Sequence, residues 1–319
     1  MFKKLDKTGI HSRKTPGPPA SAEVAVLGAA AVDWVARVEE MPPLDGISFA
    51  DQYTPVPGGS GGNVAEGIVR LGHTVRFLGV LGADEGGRML MQAFESAGVD
   101  TSCIRVEKNQ RSAACFIAVD QHGQRMIFSL GGVAVYEQVT DISAGQLVGV
   151  KILYIADAYQ EVARAAISWL EPGARVVFNP GGLMAASGRK TLGPILELTD
   201  FLVVSRVEAE ALAGCTDPEQ ACLLLAGIGP KAVLLTLGER GALVFDGKTP
   251  VLVPALPVGQ VIDTTGAGDA FSAGVIAGLL EGLTLEQAAR LGCVVAAHKI
   301  RHFGSRNGLP DREQIRSVL

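Results

Sequence analysis

From residue 21 onward one pattern recurs: a short run of consecutive apolar residues, then a longer amphipathic stretch. The apolar runs fall at residues 24–28, 75–81, 152–155, 175–178, 201–204 and 232–236. Strands apolar on both faces need cover on both faces, which is the condition of a parallel sheet. Helical patterns occupy 64–71, 87–97, 162–170, 207–213 and 269–280, and Gly72, Gly98 and Gly214 stop three of them. The alternation predicts an α/β domain, with helices on both faces of a central, mostly parallel sheet.

Two stretches depart from this rhythm. Residues 47–56 and 111–128 alternate apolar and polar, as half-solvated antiparallel strands do, with a turn at 120–123. They predict a small sheet outside the main one, with strands near 45–57 and 109–130. Such a flap can close over a ligand, and its apolar face can pair with a second copy of the chain. Residues 1–20 carry five Lys or Arg side chains among Pro16, Pro18 and Pro19, without the apolar stretch of a secretory signal, and are expected to form a disordered leader.

Composition narrows the function. Charged residues make up 19% and hydrophobic residues 48%, so a sizeable core can form. A net charge of -5 argues against a nucleic-acid partner. Every long apolar run is cut by a charge or a proline, so no membrane partner is expected. Five cysteines without a C-x-x-C pair signal neither a disulfide framework nor zinc, and most are expected to be small buried residues in a reducing, cytoplasmic setting.

Forty glycines point to close backbone approaches. The most informative cluster is Asp263-Thr264-Thr265-Gly266-Ala267-Gly268-Asp269, which opens a helix whose residues Ala270, Ala273, Gly274 and Ala277 are all small. The N–H groups of Gly266, Ala267 and Gly268 would face an anion at the positive end of that helix. Asp269 there either reaches an acceptor hydroxyl or merely caps the helix. A second run, Gly58-Gly59-Ser60-Gly61-Gly62-Asn63, leads into the helix at 64–71, with an open backbone and an amide suited to a polyhydroxyl ligand.

Three other patterns are weaker. Residues 58–62 satisfy G-x-S-x-G, which would make Ser60 a hydrolase nucleophile, but Pro55 and Pro57 argue against the buried strand that such an elbow must follow. Gly247-Lys248-Thr249 ends like a P-loop, yet Ala242 stands where the first glycine belongs, and 244–252 reads as a hairpin. His298 and His302 are spaced i, i+4 for a metal on a helix, but Lys299 and Arg301 beside them suggest a solvated basic helix end.

With both glycine-rich segments in place, the chain resembles the ribokinase-like (PfkB) carbohydrate kinases. Residues 58–65, continued by Gly72 and Gly82, look like that family's N-terminal signature, and 263–276 like its C-terminal one. The likeness extends through 79–86, 236–238 and 304–310, over nearly everything after residue 21. It implies one ribokinase-like three-layer α/β/α domain over 21–319 with a protruding β-sheet lid. It further implies transfer of phosphate from ATP, with Mg2+, to a hydroxyl of a sugar-type acceptor, a primary one being favoured. Nucleoside and phosphosugar kinases are the alternatives within the family, with Arg111 and Arg125 the candidates to meet a phosphosugar. A sugar sensor without catalysis and the Ser60 hydrolase are more remote.

By the same resemblance, Asp269 is similar to the catalytic base and Gly266, Ala267 and Gly268 to the anion hole. Asp33, Gly59 and Asn63 match positions that hold the acceptor. Thr236, Gly238, Gly241, Ser205 and Glu208 match the nucleotide side, with Glu208 ordering water on the magnesium. Asp263 and Thr265 match a K+ site. Departures from the pattern are Ser205 in place of asparagine, Ala31 and Ser60 where ribokinases carry asparagine and lysine, and Gly308 in place of a serine.

Overall fold

The computed structural model describes residues 21–316, and the expected leader at 1–20 lies outside them. In chain order the strands are β1 (Val24–Leu27), β2 (Ala31–Val38), β3 (Ala50–Gly58), β4 (Val75–Gly82), β5 (Ile104–Glu107), β6 (Ala114–Val119) and β7 (Arg125–Ser129), then β8 (Ile152–Ala156), β9 (Arg175–Asn179), β10 (Phe201–Ser205), β11 (Ala232–Thr236), β12 (Ala242–Phe245) and β13 (Val251–Val253). Nine of them form the main sheet in the order β13-β12-β11-β10-β9-β8-β1-β4-β5. Its strands run parallel from β5 to β11, and the hairpin β12–β13 closes one edge antiparallel.

The doubly apolar strands have the two-sided cover their composition demands. Along β1, Ala25 and Leu27 pack into the layer with helices Gln160–Ser168, Arg189–Leu196 and Pro218–Ala226, while Val24 and Val26 face helices Ser60–Arg70, Glu85–Ala97, Ala267–Leu280 and Leu285–Lys299. Each fully buried branched side chain contributes roughly 1.5–3 kcal/mol on this basis, so a polar residue in such a strand would be costly. The small face of helix Ala267–Leu280 has a packing cause: a Cβ on Gly274 would stand 2.7 Å from the Cα of Gly292 on helix Leu285–Lys299.

The order of connections reverses between β1 and β8. From β1 the chain builds outward through β4 to β5, and from β8 outward through β9 to β11. In open α/β sheets a ligand crevice lies beyond the carboxyl ends of the strands at this point. The second sheet, in the order β3-β2-β6-β7, is separate from the first. Its strands β3, β6 and β7 lie in the regions of alternating sequence, whereas β2, which carries Asp33, has no such expectation behind it. The run Ala31-Val32-Asp33-Trp34-Val35-Ala36 is too apolar to show alternation, because Val35 and Ala36 on opposite faces are both buried.

Two sequence expectations are corrected. Helix Leu285–Lys299 ends before His302, so the two histidines do not share it; Lys299, expected in solvent, is wholly buried. Of the cysteines, Cys222 and Cys293 are buried and Cys103, Cys115 and Cys215 only half-buried, all five being free. No helix of the described residues is long and apolar enough to cross a membrane.

Candidate active site

The glycine run at 58–62 is built around neighbours that leave no room for a Cβ. One at Gly58 would overlap the Asp33 carboxylate, and one at Gly62 the Arg306 guanidinium. Gly59 sits at φ +83, and a Cβ there would also stand 2.6 Å from the Ala31 nitrogen. Only glycine admits this conformation without strain. The chain thus turns out of lid strand β3 directly into helix Ser60–Arg70, beside Asp33 and over the crevice.

A connected set of side chains follows. Asn63 Nδ2 donates to Asp269 Oδ2 at 2.7 Å, and Asn63 Oδ1 accepts from Arg306 Nε at 3.0 Å. The second bond fixes which end of the amide faces Asp269. Arg306 also donates to the Gly58 carbonyl at 2.8 Å and pairs with Glu66 at 3.4 Å, while its guanidinium lies over the Phe94 ring. Ser305 Oγ donates to Asp33 Oδ2 at 3.1 Å. Burial pushes the Asp33 carboxyl up to about 7 against the pull of Ser305 and Arg306, and burial pushes Asp269 up to about 6 against Asn63.

Asp33 stands almost wholly out of solvent, at 4% exposure. Its folded pKa lies above the unfolded value of 3.8, so its ionisation costs stability; the cost is absent below about pH 4 and is complete above pH 7. Asp33→Asn is therefore expected to stabilise the protein on the order of 2 kcal/mol at pH 8, less than the pK difference alone implies, with the gain vanishing near pH 4. Thermal melts of both proteins across that range check it.

Around Asp269 the helix Ala267–Leu280 starts from Gly266, held at φ +79 where a Cβ would strike the Ser305 carbonyl. One sequence expectation changes here. Ala267 N–H donates to the Thr264 carbonyl at 3.1 Å, and Ala270 N–H closes the first helical turn on the Gly266 carbonyl at 2.9 Å. Of the three amides expected to face an anion, that of Ala267 is thus engaged within the loop, and the helix start adds the N–H of Asp269 beside that of Gly268.

The carboxyl ends of the central strands supply further groups. Asp157 follows β8 at φ +51, and its carboxylate accepts the Ser60 hydroxyl. Ser205 ends β10 and caps helix Arg206–Ala213, with Glu208 Oε2 accepting the Ser205 N–H at 2.8 Å in a capping box. Glu208 is thus half-buried and structurally engaged, not an exposed helix carboxylate. Burial raises the pKa of both Asp157 and Glu208; the Asp157 carboxylate raises that of Glu208 further, and both add to the rise at Asp269. Among the described residues no three such side chains converge on one metal position, so a hard divalent cation arriving with phosphate oxygens would meet these carboxylates through water. Thr236 ends β11 beside them, and Gly238 (φ +62) and Gly241 (φ +99) carry the turn into β12.

The pair Asp263 and Thr265 lies behind the Gly266 loop. Both are buried, but Lys299 Nζ donates to the Asp263 carbonyl at 3.0 Å and to the His302 carbonyl at 3.3 Å. Burial lowers the Lys299 pKa to about 8. Sequence reasoning missed Lys299, Arg306, Ser305 and Asp157. The signal available for two of them was the segment Gly304-Ser305-Arg306-Asn307-Gly308, where a charged residue stands between glycines.

A doubly wound sheet with a carboxylate-edged crevice at its switch point, roofed by a separate small sheet, defines a class of α/β enzymes acting on small polar ligands. Residues 21–312 match the pfkB family carbohydrate kinases. An uncharacterized sugar kinase of Archaeoglobus fulgidus is 33% identical over 248 residues, covering 76% of this chain and 98% of that protein. The ribokinase of Haemophilus influenzae is 28% identical, covering 93% and 98%. Among solved structures, Arabidopsis thaliana ribokinase complexed with ribose and ATP superposes with a TM-score of 0.81 at 24% identity, covering 94% of this chain and 99% of that one. The chain belongs to the pfkB family of carbohydrate kinases. It is a phosphotransferase with an alcohol group as acceptor.

Proposed function

We propose that this kinase moves the γ-phosphate of ATP to a hydroxyl, preferably a primary one, of a small sugar-type acceptor. The observation that carries the reading is the Asp269 carboxylate at the start of helix Ala267–Leu280, held by Asn63 and flanked by the open N–H of Gly268. A carboxylate raised to about 6 by burial is a better proton acceptor than a free one, and it orients the hydroxyl before taking its proton. The Gly268 amide and the positive helix end then meet the charge on the transferred phosphoryl group. Asp33, Gly59 and Asn63 hold the acceptor in this reading, and Thr236, Gly238, Gly241 and Ser205 the nucleotide. Glu208 and Asp157 hold Mg2+ through water, and the ion, when bound, neutralises phosphate charge.

Acceptor class follows from which way the lid faces. Trp34 stacks on Tyr53 at 5.3 Å, and Phe116 lies 6.3 Å from both Tyr53 and Phe128. These rings occupy the lid face opposite to Asp33, because strand neighbours alternate. They offer no platform to a nucleobase in the crevice, which favours a sugar over a nucleoside. For a phosphosugar, both candidate arginines are already engaged: Arg111 donates to the Leu130 carbonyl at 2.5 Å and Arg125 to Thr264 Oγ1 at 2.7 Å. The Ser60 hydrolase lacks support, since β3 is an edge strand of the lid and the Ser60 hydroxyl points at a carboxylate.

ADP release with ATP and Mg2+ across free sugars, sugar acids, nucleosides and sugar phosphates tests the reading. The expected result is turnover with one free sugar; turnover with nucleosides alone would overturn it. The outer lid face, with Tyr53, Met126, Phe128 and Leu130 exposed, also supports a homodimer through the lid. Sedimentation is expected to give twice the monomer mass, and to revert to one with Phe128→Asp.

A further inference from the structure

The resemblance implies a potassium ion held by Asp263 and Thr265. Thr265 Oγ1 is buried without a hydrogen-bond partner, but one free hydroxyl does not make a potassium site, and the Asp263 oxygens are already taken. Asp263 Oδ1 accepts the Thr265 N–H and Oδ2 the Gly304 N–H, each at 2.8 Å. Its carbonyl oxygen, with that of His302, is taken by the Lys299 ammonium. Lys299 and Asp263 are both fully excluded from solvent. A second cation at the same oxygens would be repelled by that ammonium in surroundings with little water to screen it.

The ammonium sits where it can shape the phosphate-facing loop. It ties the first residue of the 263–268 loop to the 302–305 segment, and Ser305 in turn packs its carbonyl against Gly266. Lys299 is also the last residue of helix Leu285–Lys299, whose negative end favours a cation. A buried ammonium costs several kcal/mol unless compensated, and a merely space-filling role would be met more cheaply by an apolar side chain.

We propose that the Lys299 ammonium is a built-in cation that takes the place of potassium, so that this kinase needs no monovalent ion to keep the 263–268 loop shaped for phosphate. Lys299 is a positioning residue, acting through Asp263 on the loop amides. The inference rests on the reading that this loop meets the phosphate of ATP.

The test is calorimetric titration of the full chain with a magnesium-bound, non-hydrolysable ATP analogue, in K+ and in tetramethylammonium at equal ionic strength, with thermal melts in the same buffers. Wild-type affinity is expected to agree within about twofold between the salts, and the melting temperature to be unchanged. In tetramethylammonium, Lys299→Met is expected to bind the analogue about tenfold more weakly, and K+ or ammonium to restore it, as one coupling step of common size. Lys299→Gln, which keeps a donor but not the charge, is expected to follow Lys299→Met. Wild-type affinity rising several-fold in K+, or a folded Lys299 variant that loses nothing or is not restored by small cations, would overturn the proposal. If Lys299→Met does not fold, the wild-type comparison decides alone. Absence of analogue binding in both salts would instead overturn the reading of the loop, and a wild-type melting temperature raised by K+ would still overturn the built-in cation separately.

Discussion

Asp269→Asn is expected to lower kcat by about 10^3-fold while leaving the KM for both substrates within a few-fold of wild type. The substituted amide keeps an oxygen for Asn63 Nδ2, which now donates at 2.7 Å to Asp269 Oδ2, so the acceptor pocket retains its shape. What disappears is the capacity to take the hydroxyl proton. The same group sets a pH dependence in the wild type. With its pKa at about 6, Asp269 is ionised and competent above that value, so kcat is expected to fall tenfold per unit as pH drops below it. Steady-state rates of both proteins between pH 5 and 8 check the two statements together. An unchanged kcat in the variant would remove Asp269 from the chemistry.

Arg306→Met is expected to destabilise the protein by about 3–5 kcal/mol, because several buried acceptors lose one shared donor at about 1–3 kcal/mol each. Arg306 is 6% exposed, and its removal takes a donor from Glu66 Oε2, the Gly58 carbonyl and Asn63 Oδ1 together, while Glu66 Oε1 keeps Arg70 at 2.8 Å. The loss is not only in stability. Freed from Arg306 Nε, the Asn63 amide can rotate its oxygen toward Asp269, which would set two acceptors against each other and disturb the acceptor site. Chemical unfolding measures the first effect, and a rise in acceptor KM larger than that in ATP KM measures the second. Restoring the positive charge with Arg306→Lys is expected to recover part of the stability but not the KM, because lysine cannot bond Asn63, Glu66 and Gly58 in one plane.

These two residues differ in how they could be found. Asp269 was readable because its surroundings are local: three glycine or alanine neighbours, a helix start and a small-residue face all lie within a dozen positions. The apolar strand runs and the glycine loop at 58–62 were readable for the same reason, since strand cover and glycine conformations are imposed by neighbours in sequence. Arg306 was not, because its partners Asn63, Glu66 and Gly58 lie about 240 residues away, and no periodicity links a C-terminal arginine to an N-terminal helix. Lys299 was read as a solvated helix end, since one turn of helix with two basic residues looks the same whether it faces water or the interior.

The α/β class, the two sheets, the glycine positions that bring backbone against side chain, and the acid at the helix start are legible in the chain, because each follows from residues within a few turns of one another. The burial that raises Asp33 to a pKa of about 7, the contact of Asp157 with Ser60, and the interior places of the cations Arg306 and Lys299 come from packing between distant segments. Whether a charged side chain can be buried depends on partners that the fold, and not the local chain, brings within hydrogen-bonding distance.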